Sequence, residues 1–141
     1  MNATNWFRAT AVILLLFALA HTAGFVRFVP DTAEGAAVRD AMSSVQFSIG
    51  GRQFTYRDFY NGFGFSVTVY LTFCAVLAWQ LGALARTNPQ LVTGIAWVFA
   101  ATQAATLVVS VIYFFTPPII SSLLVAVTAT VAAWLTQRAA G

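Results

Sequence analysis

The sequence contains no lysine, one histidine, one cysteine and only four acidic residues among its 141. Charged residues make up 8% of the chain, whereas an ordinary soluble domain has about 25%. Eleven ionisable side chains (seven Arg and four acids) are too few to cover a soluble globule, which excludes a soluble enzyme. The net charge of +3 rests on dispersed arginines without a basic cluster. We therefore expect no nucleic-acid partner either.

The residue types that are scarce also exclude several kinds of chemistry. The single cysteine, Cys74, cannot form an intramolecular dithiol, and the single histidine, His21, cannot supply both axial ligands of a haem. No spacing of His, Cys, Asp or Glu is typical of a metal site, so we expect no metal and no cofactor. Ion pumps and proton-coupled transporters usually place a charged side chain inside the membrane. The predicted spans carry no such side chain at membrane depth, so we expect neither activity. These absences argue against catalysis, since an enzyme would have to rely on His21 and Tyr70.

What the chain does contain is long uncharged blocks, and 60% of its residues are hydrophobic. A helix of about 20 apolar residues crosses roughly 30 Å of hydrocarbon. The last block is long enough for two helices, and Pro117-Pro118 is a suitable place for the turn between them. We predict one domain, 1–141, with an ordered loop over 29–58 and a first span that is retained rather than cleaved as a signal peptide. The predicted membrane spans are about 7–28, 59–85, 91–115 and 119–137.

The predicted fold is an all-α membrane protein, a bundle of four transmembrane helices in up-down order. Tryptophan prefers the membrane–water interface, and in this topology all four fall toward the face that carries both chain ends: Trp6, Trp79, Trp97 and Trp134. The same face carries Arg8, Arg86 and Arg138 without an acidic residue, which favours cytoplasmic termini. Arginine without lysine, together with abundant alanine, suggests a bacterial protein of the inner membrane.

The loop between the first two spans contains signals for a short helix followed by a β-hairpin. Ala37, Ala41 and Val45 recur at helical spacing within residues 34–45. Two glycines, Gly50-Gly51, then separate two alternating runs, as is typical of a tight hairpin turn. The hairpin register pairs Phe47 with Phe54, and Val45 with Tyr56, on one face. Thr55 followed by Asp58 resembles a capping box and predicts that the second span begins near Tyr56.

Polar side chains at membrane depth are the best indicators of function, because they are costly unless satisfied. Helical rise places His21 about 10 Å below the loop-side boundary, and polar rows at helical spacing on the second and third spans reach a similar depth. The candidate ligand-binding residues are His21, Asn61, Ser66, Tyr70, Gln103, Thr106, Ser110 and Tyr113. The alternative is that these groups hydrogen-bond from helix to helix and hold the bundle together.

Small residues four apart predict places where two helices approach closely. Three such pairs lie in the first and second spans: Ala20 and Gly24, Gly62 and Ser66, and Ala78 and Gly82.

Three segments resemble a group of small bacterial four-helix integral membrane proteins. They are His21-Thr22, Met42 and the run Arg57–Gly64, and the resemblance covers roughly residues 15–85. It implies the four-helix topology and no mechanism, since that group has no established activity. In size the chain is also similar to four-helix membrane isomerases and quinol-handling proteins. The spans here lack the acidic residues that those isomerases use.

Taken together, these features predict a non-catalytic protein of the lipid bilayer. We expect it to self-associate as a homo-oligomer or to serve as an accessory subunit of a larger membrane complex. The alternative is a binder of, or an enzyme for, a small lipid-like or quinone-like ligand in a polar pocket around His21.

Overall fold

Four helices of the protein are long and apolar enough to cross a membrane. The computed structural model describes residues 2–141, and this part of the chain forms five α-helices and one two-stranded hairpin. In chain order they are α1 (Ala3–Arg27), α2 (Ala33–Ser44), β1 (Gln46–Ile49), β2 (Arg52–Thr55), α3 (Tyr56–Thr87), α4 (Pro89–Tyr113) and α5 (Thr116–Ala140). The four long ones are α1, α3, α4 and α5. The predicted all-α class is confirmed, with four candidate spans and a short helix plus hairpin in the first loop.

The last two long helices end and begin slightly before the predicted boundaries. Helix α4 ends at Tyr113 and α5 begins at Thr116, so the chain turns at Phe114-Phe115. The prediction of a turn at Pro117-Pro118 was wrong by three residues, because both prolines lie in the first turn of α5. Proline is accommodated there, since the first amide groups of a helix have no acceptor within the helix.

The chain forms two compact units. The first unit consists of Met1–Phe17 and Leu71–Gly141, which include the start of α1, the end of α3, and all of α4 and α5. Alanine dominates its core, and Ala78, Ala96 and Ala129 on three different helices are completely buried. In lipid, helices associate through close packing and hydrogen bonds rather than through hydrophobic burial. Small side chains at the seams therefore bring the backbones of this unit together.

Helices α1 and α3 lie close together in this unit at Gly82. A Cβ atom at that position would lie 3.0 Å from the Cβ of Phe7 and 3.2 Å from the carbonyl oxygen of Thr4. Ala78, one turn earlier, is completely buried. The predicted close packing at the pair of Ala78 and Gly82 is therefore confirmed.

The second unit, Ala18–Tyr70, contains the end of α1, the loop elements and the start of α3. Its hairpin has the predicted register at Phe47 and Phe54, and the turn glycines Gly50 and Gly51 have φ of 57° and 77°. The predicted pair of Val45 and Tyr56 does not form, because the strands stop at Gln46 and Thr55. Val45 instead ends α2, where its amide donates to the carbonyl oxygen of Ala41 over 2.9 Å.

Both helices that flank the hairpin begin at a side-chain cap. The hydroxyl of Thr32 accepts a hydrogen bond from the amide of Gly35 at the start of α2, over 3.1 Å. At the start of α3 the predicted capping box is confirmed. The Asp58 carboxylate accepts from the amide and hydroxyl of Thr55, each over 2.8 Å, and the amide of Asp58 donates to the Thr55 hydroxyl over 3.1 Å. The box satisfies amide groups that would otherwise lack a partner at the start of the helix.

Candidate functional site

The eight predicted ligand-binding residues are divided between the two units. His21, Asn61, Ser66 and Tyr70 belong to the second unit. Gln103, Thr106, Ser110 and Tyr113 belong to the first unit.

His21 connects α1 to α3 within the second unit. Its Nε2 lies 3.0 Å from the carbonyl oxygen of Gly64, and because a carbonyl can only accept, Nε2 is the donor. The imidazole also packs against Phe25, with 5.4 Å between the ring centroids. One turn away, the hydroxyl oxygens of Thr22 and Thr68 lie 2.8 Å apart. The histidine is thus part of a polar seam between two helices.

Gly64 allows this seam to close. A Cβ atom built on Gly64 would lie 2.7 Å, 2.9 Å and 3.0 Å from three atoms of the Phe25 ring, which is closer than packed carbon atoms come. The ring is itself held by Phe65 and Tyr60, whose centroids lie 5.1 Å and 6.3 Å away, both edge-on. By contrast, a Cβ on Gly24 or Gly62 would meet open space. Neither glycine is required for close packing, so the predictions at these two small-residue pairs were wrong.

The other predicted residues of the second unit all lie on α3. The Ser66 hydroxyl is exposed and donates to the carbonyl oxygen of Gly62 in its own helix, over 2.9 Å. Asn61 and Tyr70 are half-buried on α3.

In the first unit, two of the predicted residues form hydrogen bonds to other helices. The amide of Gln103 on α4 is buried and its Nε2 donates to the Cys74 sulfur on α3, over 3.6 Å. The Ser110 and Ser122 hydroxyls, on α4 and α5, lie 2.8 Å apart and are both buried. Thr106 donates within its own helix, to the carbonyl oxygen of Thr102, over 3.0 Å. Tyr113 is exposed at the end of α4.

A third interhelical hydrogen bond in this unit was not predicted. The Thr10 hydroxyl on α1 donates to the Thr128 hydroxyl on α5 over 2.9 Å, and both side chains are buried. The depth of Thr128 was apparent in the sequence, but nothing in the sequence paired it with Thr10. Throughout residues 2–141, every buried side-chain nitrogen or oxygen has a hydrogen-bond partner. Thr10, Gln103 and Ser110 of the first unit therefore hold one helix to another.

A cavity of about 110 Å³ lies in the second unit, where α1 ends, α2 passes and α3 begins. Its walls include the rings of Phe25, Phe28 and Tyr60, and two half-buried arginines, Arg39 and Arg57, also line it. The sequence did not predict that Arg39 and Arg57 line one cavity, because this depends on how α2 lies against α3. In this cavity two cationic side chains and apolar walls line the same space.

Five aromatic rings continue from the hairpin onto α3, and we refer to them as the aromatic cluster: Phe47, Phe54, Tyr56, Phe59 and Phe63. Phe47 contacts Phe54, Tyr56 and Phe59, with centroid separations of 6.1 Å, 5.1 Å and 5.2 Å. An open groove of about 330 Å³ runs along the cluster beside Asp58 and Gly62. The strand pairing and the capping box fix the backbone that carries this cluster.

Among the described residues, no three His, Cys, Asp or Glu side chains form a group that could hold a metal ion. Comparison of the chain with protein-family models, curated proteins and solved structures finds no match. The function is therefore inferred from the chain's own residues.

Proposed function

We propose that the protein is a non-catalytic integral membrane protein that assembles through its aromatic cluster. The occupant of that surface is a second copy of the chain or, alternatively, another subunit of a larger membrane complex. The supporting observation is that the cluster is both ordered and exposed: its rings pack on one another, yet Tyr56, Phe59 and Phe63 remain open to the surroundings.

The non-catalytic part of the proposal is supported by how the polar side chains of the spans are used. His21 donates to a backbone carbonyl, Gln103 donates to Cys74, and Ser110 contacts Ser122. A catalytic acid or base must reach a substrate atom with a free hydrogen-bonding position. Groups already bonded between helices are better suited to holding the bundle together.

The assembly part is supported by the position and chemistry of the aromatic cluster. Phe47 and Phe54 belong to the hairpin, which lies outside the four candidate spans. Aromatic residues are enriched in interface cores, and they lose little conformational freedom when they are covered. The aromatic cluster extends from the hairpin onto α3. It is therefore suited to bind a partner that carries an equivalent aromatic surface.

We also propose the up-down order of the four helices, with both termini in the cytoplasm of a bacterial cell and the protein in the inner membrane. Contacts inside the first unit support antiparallel neighbours: Gln90 at the start of α4 donates to the carbonyl oxygen of Ala140 at the end of α5, over 3.3 Å. Arg8 and Arg138 lie over the rings of Trp79 and Trp134, at 5.2 Å and 3.9 Å from their centroids. Basic and aromatic residues together are typical of a cytoplasmic membrane boundary.

Changing Phe63 to alanine is expected to weaken assembly, because it removes a side chain that is 69% exposed at the end of the aromatic cluster. The wild-type chain should run as a dimer or larger oligomer in mild detergent, and Phe63→Ala should shift it toward the monomer by about tenfold in dissociation constant, as truncation of an aromatic interface contact does. Native mass spectrometry across a range of protein concentrations measures the shift.

The matched control is Phe115→Ala, since Phe115 is 71% exposed but lies in the turn between α4 and α5. It should leave the oligomer unchanged. If another subunit is the partner, that subunit should co-purify with wild type and with Phe115→Ala and be lost with Phe63→Ala. A wild-type chain that is strictly monomeric and free of partners would contradict the proposal, as would equal behaviour of the two variants.

A further inference from the structure

We propose that the cavity between α1, α2 and α3 binds the phosphate group of an anionic amphiphile, with Arg39 and Arg57 as its ligands. The inference is independent of the assembly proposal, because it uses a different surface of the second unit and different side chains. It also differs from the predicted pocket around His21, whose imidazole donates a hydrogen bond to the Gly64 carbonyl oxygen.

The two arginines carry positive charge into a partly enclosed space. Both are half-buried and both line the cavity. Arg39 directs Nη1 to the carbonyl oxygen of Phe28, over 3.2 Å, which fixes its side chain and leaves most of its five N–H groups for another acceptor. Arginine is rarely buried completely unless it is paired, and Arg39 and Arg57 are buried only in part.

Two acidic residues are adjacent in sequence to these arginines, Asp40 after Arg39 and Asp58 after Arg57. Asp58 follows Arg57 directly, but its carboxylate accepts two hydrogen bonds from Thr55 in the capping box. Within residues 2–141, no carboxylate forms an ion pair with Arg39 or Arg57. The positive charge at the cavity is therefore left for an anion from outside the chain.

The size and walls of the cavity indicate what kind of anion fits. One buried water needs about 10–15 Å³ of such space, and the cavity has about 110 Å³, enough for a group of several heavy atoms. Guanidinium groups match phosphate geometry with paired N–H donors. The remaining wall is apolar, with Phe25, Val38 and Met42, and suits the carbon atoms attached to the anion. Phosphate next to hydrocarbon is the chemistry of a phospholipid headgroup and of a soluble phosphate ester with an apolar substituent.

The location favours an amphiphile over a simple ion. Phe25 lies two residues before the end of α1, and Arg57 is the second residue of α3. Both helices are candidate membrane spans, so their ends at the loop lie where headgroups are found. An amphiphile in the membrane would reach the cavity with its anionic group level with the two arginines.

The test is native mass spectrometry of the full-length protein in detergent with equal amounts of phosphatidylglycerol and phosphatidylcholine. Wild type should retain one phosphatidylglycerol per chain in preference to phosphatidylcholine. The double variant Arg39→Gln with Arg57→Gln should retain it at least about tenfold more weakly, because two charge-assisted contacts are lost. The matched control is Arg27→Gln with Arg52→Gln, which removes the same charge from exposed positions outside the cavity.

A cavity-filling variant and a competition with inorganic phosphate complete the test. Met42→Trp fills the cavity but keeps both arginines, so it should also lose the lipid, and it replaces the double variant if that variant does not fold. Repeating the wild-type measurement with millimolar inorganic phosphate distinguishes the sources: displacement indicates a soluble phosphate compound, and retention indicates the lipid. Equal phosphatidylglycerol retention by the cavity and control double variants would overturn the proposal. Retention of phosphatidylcholine as strong as that of phosphatidylglycerol, or wild-type retention by a folded Met42→Trp, would do the same.

Discussion

Leu14→Ala is expected to lower the free energy of unfolding by about 2–3 kcal/mol, the lower part of the range for removing a buried leucine. Leu14 is one of the largest side chains of the first unit that is completely buried, at 0% exposure. Lipid is as apolar as leucine, so transfer from water contributes little to this cost. The expected loss comes from packing, because neighbouring atoms cannot fully close around the missing carbons.

The control for this prediction lies two positions further along α1. Leu16 has the same chemistry and the same helix, but it is 61% exposed and turned away from the core of its unit. Leu16→Ala should change the free energy of unfolding by no more than about 0.5 kcal/mol. A titration with sodium dodecyl sulfate in mixed micelles measures both values. Equal effects of the two substitutions would mean that α1 does not pack on its unit through the face that carries Leu14.

Gly64→Ala is expected to destabilise the second unit by about 1–3 kcal/mol, as over-packing does. The added methyl group would stand 2.7 Å from the Phe25 ring, so that ring would have to shift toward the cavity that it lines and change its packing on His21 and Phe65. Separating α1 from α3 would also lengthen the hydrogen bond from His21 to the Gly64 carbonyl. Thermal unfolding and the imidazole NMR signal of the single histidine would report the two effects.

Gly62→Ala is the matched control, two residues earlier on the same helix. A Cβ there meets open space, and alanine is the better helix former by about 1 kcal/mol. This substitution should therefore leave stability unchanged or raise it slightly. Destabilisation of equal size at both glycines would contradict the close approach at Gly64.

The spans and the loop elements could be predicted from the sequence because each depends on a local pattern. Charge-free blocks mark the spans, the two glycines mark the hairpin, and Thr55 with Asp58 marks the start of α3. The turn between α4 and α5 was misplaced because a proline pair is compatible both with a turn and with the first turn of a helix. Pro117 and Pro118 take the second role, and the sequence alone does not distinguish the two.

The partners of the polar side chains could not be predicted, because they depend on how each helix is rotated about its own axis. Sequence spacing placed Ser66 and Tyr70 on one row of α3, whereas the neighbour of His21 is the backbone of Gly64. The partner is a backbone carbonyl, which every residue has, so the residue types do not indicate it. Similarly, Thr10 and Thr128 lie 118 positions apart in the chain and meet only through the packing of α1 with α5.

Substitution of His21 is the sharpest test of whether the polar side chains of the spans hold helices together rather than bind a ligand. His21→Ala should lower the free energy of unfolding by about 1 kcal/mol, the usual size of a hydrogen bond between membrane helices, and His21→Gln should restore part of it because its amide can still donate. Thermal unfolding and native mass spectrometry of retained lipid are measured on the same samples. If His21 holds the helices together, His21→Ala should be less stable and should retain the same amount of lipid. Unaltered stability together with loss of a bound molecule would contradict it.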